Sequence, residues 1–482
     1  MQIYNSLTFQ KEDFKPIKKN EVKIYWCGPT VYESPHLGHM KSAVTLDLIH
    51  RYFKFKGLEV KLIKNYTDID DKIIARSKEL NQDYQKIANK YIQEYEEMMD
   101  ALNILKDTKN PRATEVIPFI IKFVEALIKK DYAYEQKGSV YFSVNSFPKY
   151  NSIMQNVSEE AVDEEEDYIS DQDTTYGQDK RDPRDFALWK KMKEGEPYWE
   201  SPWGKGRPGW HIECSAMALN FLGETIDIHG GGQDLKFPHH RNEIAQSESY
   251  TGEDFAHYFV HNGFINVNDE KMSKSLGNYF LISEILKEYD PMVVRWFLLI
   301  SHYRSSINYS LENMEQAKKS YNRLINTIRQ INDKKVSSEE TKEIKELIST
   351  ILTTRSSIIN NLDDDLDTPK AIAELLSLFR EVNKLILEEA KPVSKNFKDV
   401  FFKFINDLED LFGIFPDLES KISRISGVYS EEAEITIKKL VTLLQETREQ
   451  LRKRKIYDLS DDIRNKLRQL GIDIEDKKIN YK

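Results

Sequence analysis

The stretch that most constrains this chain runs from Val22 to Phe55. Val22-Lys23-Ile24-Tyr25-Trp26 reads as a buried strand, and Cys27-Gly28-Pro29 turns the chain. A helix is then expected from about His36 to Phe55, stopping before Gly57. Glycine just past a helix end takes positive φ at least cost. A strand that passes to a helix through a short loop points to a layered α/β architecture. The same arrangement puts His36-Leu37-Gly38-His39 in the first turn of the helix. Unpaired backbone N–H groups and the positive end of the helix dipole favour a polyphosphate there. The imidazoles would add donors, and Gly38 would let a flat base or phosphate approach the backbone. Such a tetrad is short enough to arise by chance, so its meaning depends on the rest of the chain.

Glu59–Tyr66 reads as the next strand, and Thr67-Asp68-Ile69-Asp70-Asp71-Lys72 as a capping sequence leading into Ile73-Ile74-Ala75. Strand–helix–strand order predicts a Rossmann-like, doubly wound parallel sheet whose first half occupies residues 1–117. Residues 118–200 read as a connective insertion: a helix at Phe119–Lys129, a strand-like Ser139–Phe142, and an acidic tract. That tract holds Glu159, Glu160, Asp163 to Asp167, Asp171 and Asp173. A bare acidic run repels itself, so a solvated insertion is expected there rather than a metal site. Residues 201–310 would form the second half of the sheet domain.

Beyond Ser310 helical spacing dominates. Met314, Ala317, Tyr321, Leu324, Ile325 and Ile328 share one face, and Asp367-Thr368-Pro369 opens a helix with Ile372, Leu375, Leu376 and Phe379 on a stripe. An all-α helical bundle is expected over 311–405, followed by a small basic domain over 406–482. From Leu451 to Lys482 there are ten Lys/Arg against six Asp/Glu, in a chain of net charge -10. That local excess suits either a nucleic-acid footprint or a solvated helix face.

Composition narrows the class. No run approaches the ~18 apolar residues that span a bilayer, and the N-terminus lacks a basic segment followed by an apolar one. Two cysteines in 482 residues make no disulfide framework and fit a reducing cytosol. The acidic net charge argues against indiscriminate nucleic-acid binding.

Eight of the ten histidines lie in 36–39 or 211–261, a clustering that packing alone does not account for. His239 and Glu243 are four apart on an expected helix opened by Pro238, so they would share a face. With Cys27 and Cys214 they would make a donor set suited to Zn²⁺. The cysteines would equally suit a core or a disulfide, and spacing alone does not join them. Gly230-Gly231-Gly232, after a strand-like Thr225–His229, reads as a backbone-exposing turn with Asp234 placed for a ribose, or simply as a turn. Lys271-Met272-Ser273-Lys274-Ser275 reads as a loop that could close on a triphosphate, or as a surface loop.

His-Leu-Gly-His and, some 230 residues later, Lys-Met-Ser-Lys-Ser resemble the signature pair of class I aminoacyl-tRNA synthetases. With Cys27 to Tyr32, Gly209 to Ser215, Ile228 to Gly232 and Pro238 to Glu243, the chain resembles the cysteinyl-tRNA synthetase family over essentially its whole length. The resemblance implies a zinc ion on Cys27, Cys214, His239 and Glu243. It implies ATP contacts from His36, Gly38, His39, Gly230, Gly231, Gly232, Asp234 and Lys274, with His36, His39, Lys271 and Lys274 catalytic. Cys27, Thr67, Trp210 and His229 would surround the amino acid. The implied substrates are ATP, accompanied by Mg²⁺, L-cysteine and tRNA(Cys), handled by a cytoplasmic monomer that needs no membrane. The helical and basic C-terminal parts would grip the tRNA. Three positions depart from the family pattern: Glu33 for the common Asp, Lys41 for Arg, and Arg241 for Glu. A ligase joining activated cysteine to a small amine would be expected to lack residues 406–482. A non-catalytic RNA-binding relative would be expected to have lost His36, His39 or Lys274.

Overall fold

The computed structural model describes residues 1–154, 179–268, 270–271 and 279–416. In the C-terminal unit it describes residues 418, 443–444, 446–448, 450–454, 457–469, 472–475 and 478–481. The chain divides into two compact units, Met1–Pro416 and Asp417–Lys482.

A short antiparallel pair, β1 (Gln2–Asn5) and β2 (Gln10–Asp13), precedes β3 (Glu21–Trp26), helix α1 (Leu37–Phe55) and β4 (Glu59–Lys64). Helices α2 (Asp71–Leu80), α3 (Tyr84–Ala101) and α4 (Ile117–Lys129) follow. Next come strands β5 (Ala133–Gln136), β6 (Ser139–Phe142), β7 (Phe186–Lys191) and β8 (Gly206–Pro208). The chain then returns through α5 (Trp210–Leu222), β9 (Ile226–Gly232), α6 (His239–Thr251) and β10 (Ala256–Asn262). Strands β11 (Ile265–Val267) and β12 (Glu270–Lys271), helices α7 (Ile282–Glu288) and α8 (Pro291–Leu299), and β13 (Ile307–Tyr309) close this part.

At the centre lies a parallel sheet of order β10-β9-β3-β4. The chain leaves β3 to one side for β4 and later returns to the other side for β9. The gap above β3 and β9 is therefore the topological switch point, where open α/β sheets bind ligands at the carboxyl ends of their strands. Trp26, Cys27 and the β9 glycines stand at that edge. The core is dense: Val22, Ile24, Tyr25, Leu37, Met40, Ile49, Ile226 and Ile228 are wholly buried. Each such side chain contributes about 1.5–3 kcal/mol relative to exposure.

The segment between the sheet's halves is more ordered than its sequence suggests. Strands β5-β6-β7-β8 form an antiparallel sheet in that order, of which only β6 is legible as a strand from its residues. β6 shows itself by its unbroken Val140-Tyr141-Phe142 run, whereas β5 and β8 carry Glu, Gln, Gly, Arg and Pro and β7 ends in two lysines, so none of these three shows a clear strand pattern. The acidic tract at 159–173 lies outside the described residues.

The helical part comprises α9 (Leu311–Asp333), β14 (Val336–Ser337), α10 (Lys342–Asp363), α11 (Thr368–Val382), β15 (Val393–Ser394) and α12 (Lys395–Phe412). The apolar stripe of α9 is buried as its spacing predicts. Asp367 caps α11 by accepting from the Lys370 N–H. Buried charge ties this part to α1. The Asp47 carboxylate meets the guanidiniums of Arg51 and Arg295, which also donate to the carbonyls of Glu409 and Phe412 respectively. In the C-terminal unit α13 (Tyr457–Gln469) precedes an antiparallel pair, β16 (Ile472–Glu475) and β17 (Lys478–Tyr481). Among the described residues no helix is long and apolar enough to cross a membrane.

Candidate active site

A cavity of about 380 Å³ opens at the switch point, within the range that holds small ligands. Its lining includes Trp26, Cys27, His36, Gly38 and His39, together with Gly232, Asp234, Phe264 and Ile265.

His36 is the N-cap of α1, and two imidazoles form its capping box. His36 Nδ1 accepts from the N–H groups of Gly38 (3.1 Å) and His39 (3.4 Å), while His39 Nδ1 accepts from the His36 N–H (3.3 Å). The rings stack with centroids 3.6 Å apart. The bare N–H groups expected from the sequence are thus partly covered, because each histidine spends Nδ1 on the backbone. Nε2 is the nitrogen each ring can turn to a phosphate.

At the foot of the cavity the chain gathers its thiols. Cys27 follows β3, and Cys214 lies on α5, which is buried almost all round. His239 and Glu243 stand one turn apart on α6. Ligand atoms of these four lie within 4.8 Å of one another, and all four residues are buried. His239 Nε2 is 2.8 Å from Glu243 Oε1, and the Cys27 thiol donates to the same oxygen at 3.5 Å. The cysteines are not bonded to each other, so of the alternatives open at the sequence level neither the disulfide nor an isolated core cysteine describes them.

The electrostatics are those of a set sharing protons. Burial and the neighbouring Cys214 push the Cys27 thiol up. Hydrogen bonding from Cys27 brings Cys214 down to about 6, against its own burial. Burial would lower His239, yet Glu243 and Cys214 hold it up at about 10. Burial likewise opposes ionisation of Glu243, but His229 and His239 bring it to about 2. Two soft sulfurs, one imidazole and one carboxylate are a donor set that a divalent zinc ion satisfies. Glu243 Oε2 is fully buried and faces His229 Nε2 at 3.2 Å, so both carboxylate oxygens lie among the imidazoles and thiols of the cluster. His229 and His240 form a second donor group with Cys27 and Glu243. The two groups share Cys27 and Glu243, so they mark one seat for an ion.

A shell of histidines surrounds that seat. His211 Nδ1 lies 2.9 Å from His239 Nδ1, which leaves His239 Nε2 facing Glu243. His240 Nδ1 meets His261 Nε2 at 2.9 Å, and His261 Nδ1 meets the Ser6 hydroxyl at 2.8 Å. Burial drives His211, His240 and His261 well below the ordinary imidazole value, so they are neutral. Partners of this kind fix the tautomer of a ligating ring. Sequence reasoning sees the histidine clustering but does not assign His211, His240, His261 or Ser6 individually.

Other expected residues fall in varied places. The Trp210 ring lies 4.2 Å from the His239 ring and lines the cavity. His229 is buried, 3.7 Å from Cys27 Sγ, and does not line it. Thr67 is buried under the Pro29-Thr30 loop, its N–H donating to the Pro29 carbonyl, and it too is away from the lining. The three glycines are not a turn after a strand but the end of β9: Gly230, Gly231 and Gly232 pair with Val260, His261 and Asn262. Gly230 is required there because a Cβ would enter the Trp26 ring. Only Gly232 and Asp234 of that group reach the cavity. Lys271 ends β12, and Lys274 lies outside the described residues. Of the three departures, Glu33 accepts from the Tyr279 hydroxyl, and Arg241 lies 4.5 Å over the Phe237 ring. Lys41 is buried.

A strand–loop–helix turn carrying two histidines and a buried thiol–imidazole–carboxylate cluster at a Rossmann switch point together indicate a class, and comparison with known proteins agrees. The family model described as tRNA synthetases class I (C) catalytic domain matches residues 13–319, and that of the DALR domain matches residues 357–416. The solved methionyl-tRNA synthetase of Mycobacterium tuberculosis in complex with methionyl-adenylate shares the fold, with a TM-score of 0.60. It is 14% identical, over 84% of this chain and 91% of its own. Cysteine–tRNA ligases of Thermococcus gammatolerans and Sulfurihydrogenibium sp. are 43% and 44% identical, each over 99% of this chain and 97% and 98% of their own. That of Francisella tularensis subsp. novicida is 45% identical, over 99% of this chain and 98% of its own. The chain belongs to the cysteine–tRNA ligase family of class I synthetases and is an ATP-dependent tRNA ligase.

Proposed function

We propose that this chain activates L-cysteine with ATP to cysteinyl-adenylate and passes the cysteinyl group to the 3′ end of tRNA(Cys), selecting cysteine with a zinc ion. One observation carries this reading: Cys27, Cys214, His239 and Glu243 converge below the cavity that His36, Gly38 and His39 border. Serine differs from cysteine by oxygen for sulfur, and shape separates such near-isosteres poorly. Zinc held by the four residues would supply a soft Lewis acid with a strong preference for a thiolate over an alcohol. His211 and His229 orient the imidazole and carboxylate of that set, and Trp210 closes the amino-acid pocket against the His239 ring. Thr67 backs the Pro29-Thr30 loop that borders the pocket.

His36 and His39 would bind the triphosphate of Mg·ATP, with Gly38, Gly232 and Asp234 along the nucleotide. Lys271 and Lys274 would neutralise charge as it develops on the leaving pyrophosphate, work that is mainly positioning and electrostatic. The helical part at 311–405 and the basic residues of 406–482 would hold the tRNA, whose unstacked anticodon bases are readable by a small, locally basic module. The experiment is ATP–pyrophosphate exchange with cysteine beside serine, followed by transfer of labelled cysteine to tRNA(Cys). Exchange and transfer with cysteine alone are expected. No exchange with cysteine would overturn the reading.

A further inference from the structure

Lys41 stands two residues beyond His39 on α1 and is only 2% exposed. Among the described residues no carboxylate lies within ion-pair distance of it. Its Nζ donates instead to two backbone carbonyls, Phe264 at 3.1 Å and Ser305 at 2.5 Å. Burial alone pulls the ammonium down to about 7. A cation buried without a counter-charge is costly, and an apolar side chain at this position would avoid that cost. The two carbonyls are what the lysine satisfies.

Those carbonyls belong to segments pressed tightly together. The Gly263 N–H donates to the Tyr303 carbonyl, and the Ile307 N–H to the Phe264 carbonyl. A Cβ at Gly263 would lie 2.5 Å from the Arg304 carbonyl oxygen. Phe264 and Ile265 line the same cavity as the His36–His39 turn. From there β11 pairs with β12, Asn266 opposite Lys271, and the chain runs on into Met272-Ser273-Lys274-Ser275. Through Lys41, α1 reaches the Phe264 and Ser305 carbonyls of these segments.

We propose that Lys41 is a positioning residue for adenylate formation. By holding the Phe264 and Ser305 carbonyls it fixes the spacing between the His36–His39 turn and the strand that leads into Lys271 and Lys274. This inference rests on the function proposed above.

The test is cysteine-dependent ATP–pyrophosphate exchange on full-length, zinc-loaded wild type, Lys41→Met and Lys41→Arg. Misplacement of a catalytic wall by about 1 Å can cost roughly a hundredfold in rate, and a fall of about that size in kcat is expected for Lys41→Met. KM for cysteine and zinc content should stay at wild-type values. Lys41→Arg, whose guanidinium can donate to the same carbonyls, should return most of the rate. Wild-type kcat in Lys41→Met, or no recovery in Lys41→Arg, would overturn the assignment. So would a loss shared equally by KM for cysteine and zinc content. Should Lys41→Met fail to fold, Lys41→Gln replaces it: its shorter amide stops one bond short of the lysine nitrogen that meets both carbonyls, and the same kind of fall in kcat is expected. A wild type without exchange would defeat the proposed function itself, whereas an active wild type beside an unimpaired Lys41→Met would defeat this inference alone.

Discussion

Arg295→Met probes the joint that fastens α1 to the helical part. Arg295 is fully buried, donates to the carbonyls of Phe412 (2.7 Å), Leu102 (2.9 Å) and Asn103 (3.4 Å), and pairs with Asp47. Methionine would fill much of the volume but return none of these. Asp47 would keep Arg51, 2.7 Å away, and the Leu105 N–H, also at 2.7 Å, so its charge would not be stranded. Breaking a buried pair from one side costs about 3–5 kcal/mol, and the partial compensation puts this variant near the lower bound, about 3 kcal/mol. At about 2.1 cal/mol/K of unfolding entropy per residue, a unit the size of residues 1–416 changes by roughly 0.9 kcal/mol per degree. The expected loss in Tm is therefore about 3 °C, read by calorimetry at neutral pH. Burial opposes ionisation of Asp47, but Arg295 and Arg51 overcome it and hold the carboxyl below its ordinary value near 3.9. That stabilisation is complete above the ordinary value and is lost as pH falls through the lower folded one. The difference between wild type and variant should accordingly shrink in acid. A Tm within 1 °C of wild type at neutral pH, or a difference that grows as pH falls, would refute this reasoning.

Two further outcomes concern the site. Cys214→Ser exchanges a soft donor for an alcohol that hardly ionises, and metal analysis should show zinc lost or greatly weakened. KM for cysteine should then rise at least tenfold while KM for ATP stays close to wild type, a rise of about the size seen when a supporting group of a metal site is removed. Lys274→Ala should retain its zinc and lower the exchange rate by roughly 10²–10³, the scale of one lost charge-stabilising donor. Normal turnover in that variant would remove Lys274 from the mechanism.

Much of this architecture is legible in the residues, for identifiable reasons. Local signals declare themselves: the apolar run at Val22–Trp26, the cap at Asp70, the Asp367-Thr368-Pro369 start of α11 and the stripe of α9 all depend on neighbours within a few positions. His239 and Glu243 are legible as a pair because helical spacing joins them. What joins them to Cys27 is a contact across 216 residues, set by sheet order, and spacing carries no trace of it. Resemblance to a family supplied that link. The glycines of β9 misled because glycine commonly marks a turn, whereas here the Trp26 ring and the flanking strands demand a residue without a side chain. The Lys41 contacts were hidden for a related reason. Their acceptors are backbone carbonyls, which every residue possesses.

The central claim is that the four converging donors hold a zinc ion by which the enzyme tells cysteine from serine. Its most direct test measures cysteine- and serine-dependent ATP–pyrophosphate exchange on zinc-loaded protein, after chelation, and after zinc is returned. The account predicts exchange with cysteine alone, lost with the zinc and recovered with it. Exchange that survives complete removal of zinc, with the preference for cysteine unchanged, would contradict it.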